Sequence, residues 1–162
     1  MNYAIVYSSK TGNTQLLAQA ARELLPEENL LYFGAPCSDA LKAQQIYVGF
    51  WTDKGRCDDE TAKFLSSLTN QKVFLFGTAG FGGSDAYFQK ILAAVQEFIS
   101  PTVTIVGTYM CQGKMPPAVR LRYESMEDTP ARQAMLDNFD AALSHPNQED
   151  LNQLKGKILD SF

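Results

Sequence analysis

The chain has 162 residues, a formal net charge of -4 and a sequence pI near 4.9, with 45% hydrophobic and 20% charged residues. Those values describe one globular core, since a domain takes roughly 100–200 residues, and they exclude intrinsic disorder, a collagen-like repeat and a coiled coil. The acidic balance excludes a nucleic-acid binder held by phosphate contacts, and no apolar run reaches the ~20 residues that a membrane crossing needs.

Tyr3-Ala4-Ile5-Val6-Tyr7 is a short continuous apolar run, the pattern of a strand covered on both faces. The polar loop Ser8 to Thr14 follows. Leu16, Leu17, Ala20, Ala21, Leu24 and Leu25 then form one helical stripe that Pro26 closes. Leu30 to Phe33 and Ile46 to Phe50 read as the second and third strands, with a short helix expected around Ala40 to Gln44.

Ala62, Leu65 and Leu68 mark a helix over 58–68 whose start Asp58 and Asp59 would cap. Val73 to Phe76 is the fourth strand. Ser84 would cap a long helix whose apolar face runs from Tyr87 to Ile99, and Pro101 ends it. Val103 to Val106 is the fifth strand. Helical patterns follow at Pro117 to Met126 and Ala131 to Leu143, then a polar tail from Gln148 carries Leu151, Leu154 and Ile158 on one stripe, expected to face the core.

Alternating strands and helices with short connections predict an α/β fold, a doubly wound five-stranded parallel sheet in three layers with extra C-terminal helices. The whole chain, 1–162, reads as one domain with its core over about 2–143 and a helical tail over about 147–160. Without a basic segment ahead of the first strand, the chain is expected to be cytosolic. Cys37, Cys57 and Cys111 lie far apart with no zinc-type spacing, so reduced thiols are expected. His145, in a Ser-His-Pro turn, is expected to be a solvated loop residue without a role.

Ligands of open parallel sheets sit at the carboxyl ends of the strands, where strand order reverses. The loop after the first strand offers the hydroxyls of Ser8, Ser9, Thr11 and Thr14, the Asn13 amide and Gly12, all just before a helix N-terminus. Such a loop holds a terminal phosphate, or is simply a capped turn. The triphosphate motif G-x-x-x-x-G-K-[ST] and the dinucleotide motif G-x-G-x-x-G are both missing here.

After the third strand come Trp51-Thr52-Asp53-Lys54-Gly55, with the single tryptophan at the strand's end, and after the fourth come Gly77 to Ser84 with Phe81 among glycines. A phosphate nest and two aromatic-bearing loops at three strand ends describe a site for a flat ring with a phosphate tail. The plainer readings are a core tryptophan and a mobile glycine loop.

Ser9-Lys10-Thr11-Gly12-Asn13-Thr14 matches [TS]-x-T-G-x-T, and with the two later loops the chain resembles the flavodoxin family over about residues 2–110. Flavodoxin, with strand order 2-1-3-4-5, is itself a standard example of the strand-end rule. The resemblance implies FMN as cofactor. Ser8, Ser9, Lys10, Thr11, Gly12, Asn13 and Thr14 would bind its phosphate. Trp51, Thr52, Asp53, Lys54 and Gly55 would cover one side of the isoalloxazine, and Thr78, Ala79, Gly80, Phe81, Gly82 and Gly83 the other. No catalytic residue and no metal are implied.

Segments 49–55, 76–83 and 110–116 resemble, more narrowly, a flavodoxin-like group of anaerobic gut bacteria, the BilS group, associated with a bilirubin reductase. The implied function is electron transfer from a reductase to an acceptor oxidoreductase, with the bilirubin reductase as the narrower choice of partner. Two other classes stay open: an NAD(P)H-dependent flavin enzyme acting on a small molecule such as a quinone, and a flavin-free accessory subunit. Lys54, Arg56, Lys114, Arg120 and Arg122 make the expected site less acidic than is usual for the family. Asp53, Asp58, Asp59, Glu60 and Asp85 are expected among them at the rim, where charge would steer a partner.

Overall fold

Residues 1–82 and 84–162 are described by a computed structural model. Five parallel strands lie in the order β2-β1-β3-β5-β6, where β1 is Tyr3–Tyr7, β2 Leu30–Gly34, β3 Gln45–Asp53, β5 Lys72–Ala79 and β6 Thr104–Gln112. This is the order expected for five parallel strands. A sixth strand, β4 (Arg56–Cys57), turns back antiparallel on the end of β3, pairing Thr52 with Cys57 and Asp53 with Arg56. Its two-residue turn has Lys54 at φ 54 and Gly55 at φ 82, both on the positive side as a type I′ hairpin requires.

Side chains alternate across the sheet, and both faces are apolar, which is why the strands read as continuous hydrophobic runs. Ala4, Val6, Ile46, Val48, Phe50, Val73 and Leu75 pack on one face against α2 (Asp59–Ser66) and α3 (Asp85–Gln96). Tyr3, Ile5, Tyr47, Phe74 and Phe76 pack on the other against Leu17, Ala18 and Ala21 of α1 (Asn13–Leu24) and Leu154 and Ile158 of α6 (Gln148–Asp160). The C-terminal stripe thus faces inward, and α6 lies beside α1 as the outer layer of that face.

Between β6 and α6 stands a helical hairpin, α4 (Pro117–Glu124) and α5 (Pro130–Ala142), closed by its own small cluster of Tyr123, Leu136 and Phe139. Short 3₁₀ turns occupy Glu27–Asn29 and Ser38–Lys42, the latter shifted ahead of the helix expected around Ala40 to Gln44.

Three boundaries differ from the sequence pattern. Trp51 is inside β3, opposite Thr78 of β5, rather than in a loop after it. Thr78 and Ala79 are likewise the last residues of β5. The fifth parallel strand begins at Thr104 and runs six residues past Val106, to Gln112, because pairing with β5 overrides its polar Thr108 and Gln112.

Cys37, Cys57 and Cys111 are free thiols. Among the described residues, no helix is long and apolar enough to cross a membrane.

Candidate functional site

The loop between β1 and α1 is held to the sheet by Ser8, whose N–H donates to the Gly49 carbonyl at 3.1 Å. Ser9 Oγ accepts from the Gly12 N–H at 3.1 Å, and Gly12 at φ 87 turns the chain into the helix. No side chain caps α1. The helix starts α2, α3, α5 and α6, by contrast, are capped by Asp58, Ser84, Thr129 and Asn147. The first N–H groups of α1 and the positive end of its dipole are left for another acceptor.

Thr14 is fully buried, and its hydroxyl donates to the Phe50 carbonyl at 3.1 Å. Thr78 Oγ1 lies 3.2 Å away and therefore supplies the proton of their mutual contact. Thr52 Oγ1 donates to the Thr78 carbonyl at 2.8 Å. These hydroxyls lock the ends of β3, β5 and α1 together.

Asn13 faces the segment after β6. Its Nδ2 donates to the Lys114 carbonyl at 2.8 Å, with the Thr11 hydroxyl at 3.5 Å from the same oxygen. A Cβ at Gly113 would stand 2.5 Å from Asn13 Nδ2, so this close approach needs glycine. Asn13 Oδ1 is buried without a hydrogen-bond partner.

Two connected clefts open along the strand ends. The narrow one, about 170 Å³, runs from Lys10, Thr11 and Asn13 past Trp51 and Thr52 to Thr78, Ala79 and Gly80. Lys10 Nζ sits 5.1 Å from the Trp51 ring centroid, a cation–π contact. The wide one, about 410 Å³, continues from Thr52 and Gly80 to Lys54, Gly55 and Phe81, and Phe81 is 41% exposed.

Ser8, Ser9, Gly12, Thr14, Asp53 and Gly82 line neither cleft; the first four shape the loop, and Gly83 lies outside the described residues. The sequence pointed to Lys114 and Arg122 near the site but not to the roof they belong to. That roof consists of Gly113, Lys114, Met115 and Pro116 over the narrow cleft, with Met115, Val119, Arg122 and Tyr123 over the wide one, beside Tyr87 of α3. The α4–α5 hairpin is pinned there by Asn138 Nδ2 and Gln112 Nε2, which donate to the Gly80 carbonyl at 3.1 and 3.0 Å. Its neck is closed where the Lys114 N–H donates to the His145 carbonyl at 2.9 Å.

His145 is no solvated loop residue, since its Nδ1 lies 2.6 Å from Asp150 Oδ2 at the start of α6. Nor is Asp58 a rim charge: it is 4% exposed, spent on the Thr61 N–H and hydroxyl. Of the cations expected near the site, Arg56 pairs with Asp59 and Arg120 with Asp140 and Glu124, leaving Lys54, Lys114 and Arg122 to line the clefts.

A family model described as a flavodoxin domain matches residues 4–158. The chain belongs to the flavodoxin family. It is 37% identical over 182 aligned positions, covering 99% of this chain and 96% of the other, to the flavodoxin-like domain-containing protein BilS of Clostridium symbiosum. Among solved structures, oxidised flavodoxin 2 of Bacillus cereus shares the fold with a TM-score of 0.57 at 14% identity, covering 99% of this chain and 97% of that one. A Lactobacillus acidophilus flavoprotein in complex with FMN gives 0.51 at 13% identity, over 67% and 92% of the two chains.

The flavodoxin residues present fit FMN on three counts. An uncapped helix end suits a terminal phosphate, a buried acceptor at Asn13 Oδ1 suits a ribityl hydroxyl, and clefts lined by the Trp51 and Phe81 side chains suit a planar ring.

Proposed function

We propose that this protein is an FMN-dependent electron carrier, taking electrons from a reductase and passing them to an acceptor oxidoreductase. The observation that carries the proposal is the uncapped start of α1, set behind the Ser9 to Asn13 loop at the strand ends and continuous with a cleft walled by Trp51. Bound there, FMN supplies the one- and two-electron chemistry, and the protein supplies its placement.

In that placement the α1 N–H groups and the Thr11 hydroxyl hold the phosphate. Asn13 positions the roof through Lys114, and the Thr14, Thr78 and Thr52 hydroxyls fix the floor. Trp51 and Phe81 flank the ring. Neither cleft is lined by a carboxylate or a histidine, so the described residues offer no general acid or base of those kinds at the ring. This supports a carrier over an enzyme with its own proton chemistry. The narrower reading, a bilirubin reductase as the acceptor, is supported by the likeness to BilS.

Equilibrium dialysis and a flavin absorbance spectrum test the reading. FMN binds more tightly than FAD, Thr11→Val weakens it, and Trp51 emission is quenched as FMN is added. Equal binding of FAD, or unchanged Trp51 emission, defeats the placement. Rapid NAD(P)H oxidation with a small quinone and no protein partner would make the protein an enzyme instead.

A further inference from the structure

The charge along the two clefts runs against that of the whole protein. In a chain of net charge -4, the narrow cleft is lined by Lys10 and Lys114, the wide one by Lys54 and Arg122, and neither by any Asp or Glu. Arg22, Arg56, Arg120 and Arg132 each lie within 4.0 Å of a carboxylate. Arg122 is the one arginine of the described residues without such a partner. Its guanidinium carbon lies 5.9 Å from the Tyr123 ring centroid. It lines the wide cleft from α4, in the hairpin that Asn138 ties to the Gly80 carbonyl and to Gln112. Lys54 reaches the same groove from the other side, on the tight turn between β3 and β4.

We infer that Lys54 and Arg122 tune the flavin, holding the reduced ring more tightly than the oxidised ring and so raising its reduction potential. The inference rests on the FMN reading above. Two-electron reduction at neutral pH brings in two electrons and one proton and leaves the ring with one negative charge. Oxidised isoalloxazine is neutral. Cations beside the ring therefore favour the reduced state selectively, and Lys54 and Arg122 are the two that line the wide cleft. Both Lys54 and Arg122 are exposed, so solvent and salt weaken their effect.

The test is a redox titration of the FMN-loaded protein, with dissociation constants measured for oxidised and reduced FMN. The Lys54→Gln/Arg122→Gln double variant loses about tenfold of the preference for reduced flavin, a shift of about 30 mV to more negative potential for a two-electron couple. Reduced FMN loses about tenfold more affinity in that variant than oxidised FMN does. Arg122→Lys restores most of the Arg122 contribution, and added salt narrows the gap between the double variant and the unmodified protein.

Lys72→Gln removes one positive charge at the opposite end of the sheet and leaves the potential unchanged. A shift in Lys72→Gln of about half that of the double variant, which removes two charges, would overturn the inference in favour of net charge. So would equal losses of oxidised and reduced FMN affinity, or an unshifted potential in the double variant. Failure of the unmodified protein to bind FMN is a different result, which ends the FMN reading and this inference together.

Discussion

The sheet and the hairpin inserted after it are built on different terms. The sheet buries apolar side chains on both faces, with Phe50, Phe74 and Phe76 each at 0% exposure. The α4–α5 hairpin buries Tyr123, Leu136 and Phe139 in its own cluster, with Met115, Val119 and Met135 half-buried against them, and polar ties fasten it through Asn13 to Lys114, Asn138 to Gly80 and Lys114 to His145. Burial at ~25 cal/mol per Å² resists unfolding, whereas a hydrogen bond contributes only about 1 kcal/mol net but fixes a position. Stability therefore resides in the sheet. The shape of the cleft's roof depends on a few polar contacts that can change without unfolding the molecule.

The sharpest way to break that comparison is to hollow each region. Phe74→Ala removes a ring packed 5.8 Å from Tyr47, centroid to centroid, in the middle of the sheet. It should cost ~3–5 kcal/mol, a large share of the ~5–15 kcal/mol that holds a domain together. Leu136→Ala, in the hairpin cluster, should cost about 2 kcal/mol, at the low end for such a truncation, because the small cluster has room to collapse. Urea denaturation reads both as shifts in midpoint at constant slope. Equal losses would show that the hairpin is part of the core.

A weaker probe of the sheet is alkaline pH. Burial pushes the Tyr47 phenol up to about 12 from 10.0, with the Tyr3 phenol adding to it, and burial raises Tyr3 and Tyr109 as well. All three pack on the α1–α6 face. A raised phenol pKa means that the folded state keeps a proton the unfolded state gives up. The stabilisation is thus complete below pH 10 and is lost as pH rises, through about 12 for Tyr47. Burial raises the Cys57 and Cys111 thiols from 9.0 as well, Cys57 to about 11, so urea midpoints should begin to fall above about pH 9 and fall further from pH 10 to 12, with Tyr47→Phe reducing the later part of the fall. A midpoint steady through pH 11 would contradict these shifts.

Strand and helix order was legible because each strand of a doubly covered sheet is a continuous apolar run and each helix shows a single stripe. The loop between β1 and α1 was legible because its hydroxyls, Gly12 and the following helix are neighbours in sequence. What escaped depended on distant partners. Trp51 and Thr78 belong to strands because they pair with each other, and Tyr109 to Gln112 because they pair with Phe76 to Ala79. The β3–β4 hairpin is only two pairs long, and its Lys54-Gly55 turn lacks the Asn or Asp that usually announces one. The placement of the roof was invisible for the same reason, although Lys114 and Arg122 were expected near the site. The pattern of residues 117–143 shows two helices, but only the contacts of Asn138, Gln112 and Asn13 show where they sit.

The smallest expected effect is at Asn138, and it separates position from stability most cleanly. Its Nδ2 donates to the Gly80 carbonyl and its Oδ1 accepts from Gln112 Nε2 at 3.0 Å. Asn138→Ala removes both bonds, yet Gln112 still donates to the same carbonyl, so no buried acceptor is left bare. The net cost should be about 0.5–1 kcal/mol, because a buried group left unpaired is what makes such losses expensive. The urea midpoint should fall by no more than that net cost divided by the slope. Amide exchange in α5 should already be faster than in β3 and β5, and the loss should speed it by about a further two- to fivefold, the factor it sets for any opening that breaks the two bonds. FMN should leave faster by a similar factor, since the roof opens more often over the cleft. Equal exchange rates in α5 and in the sheet would mean that hairpin and sheet open as one unit, and that the polar ties transmit stability as well as position.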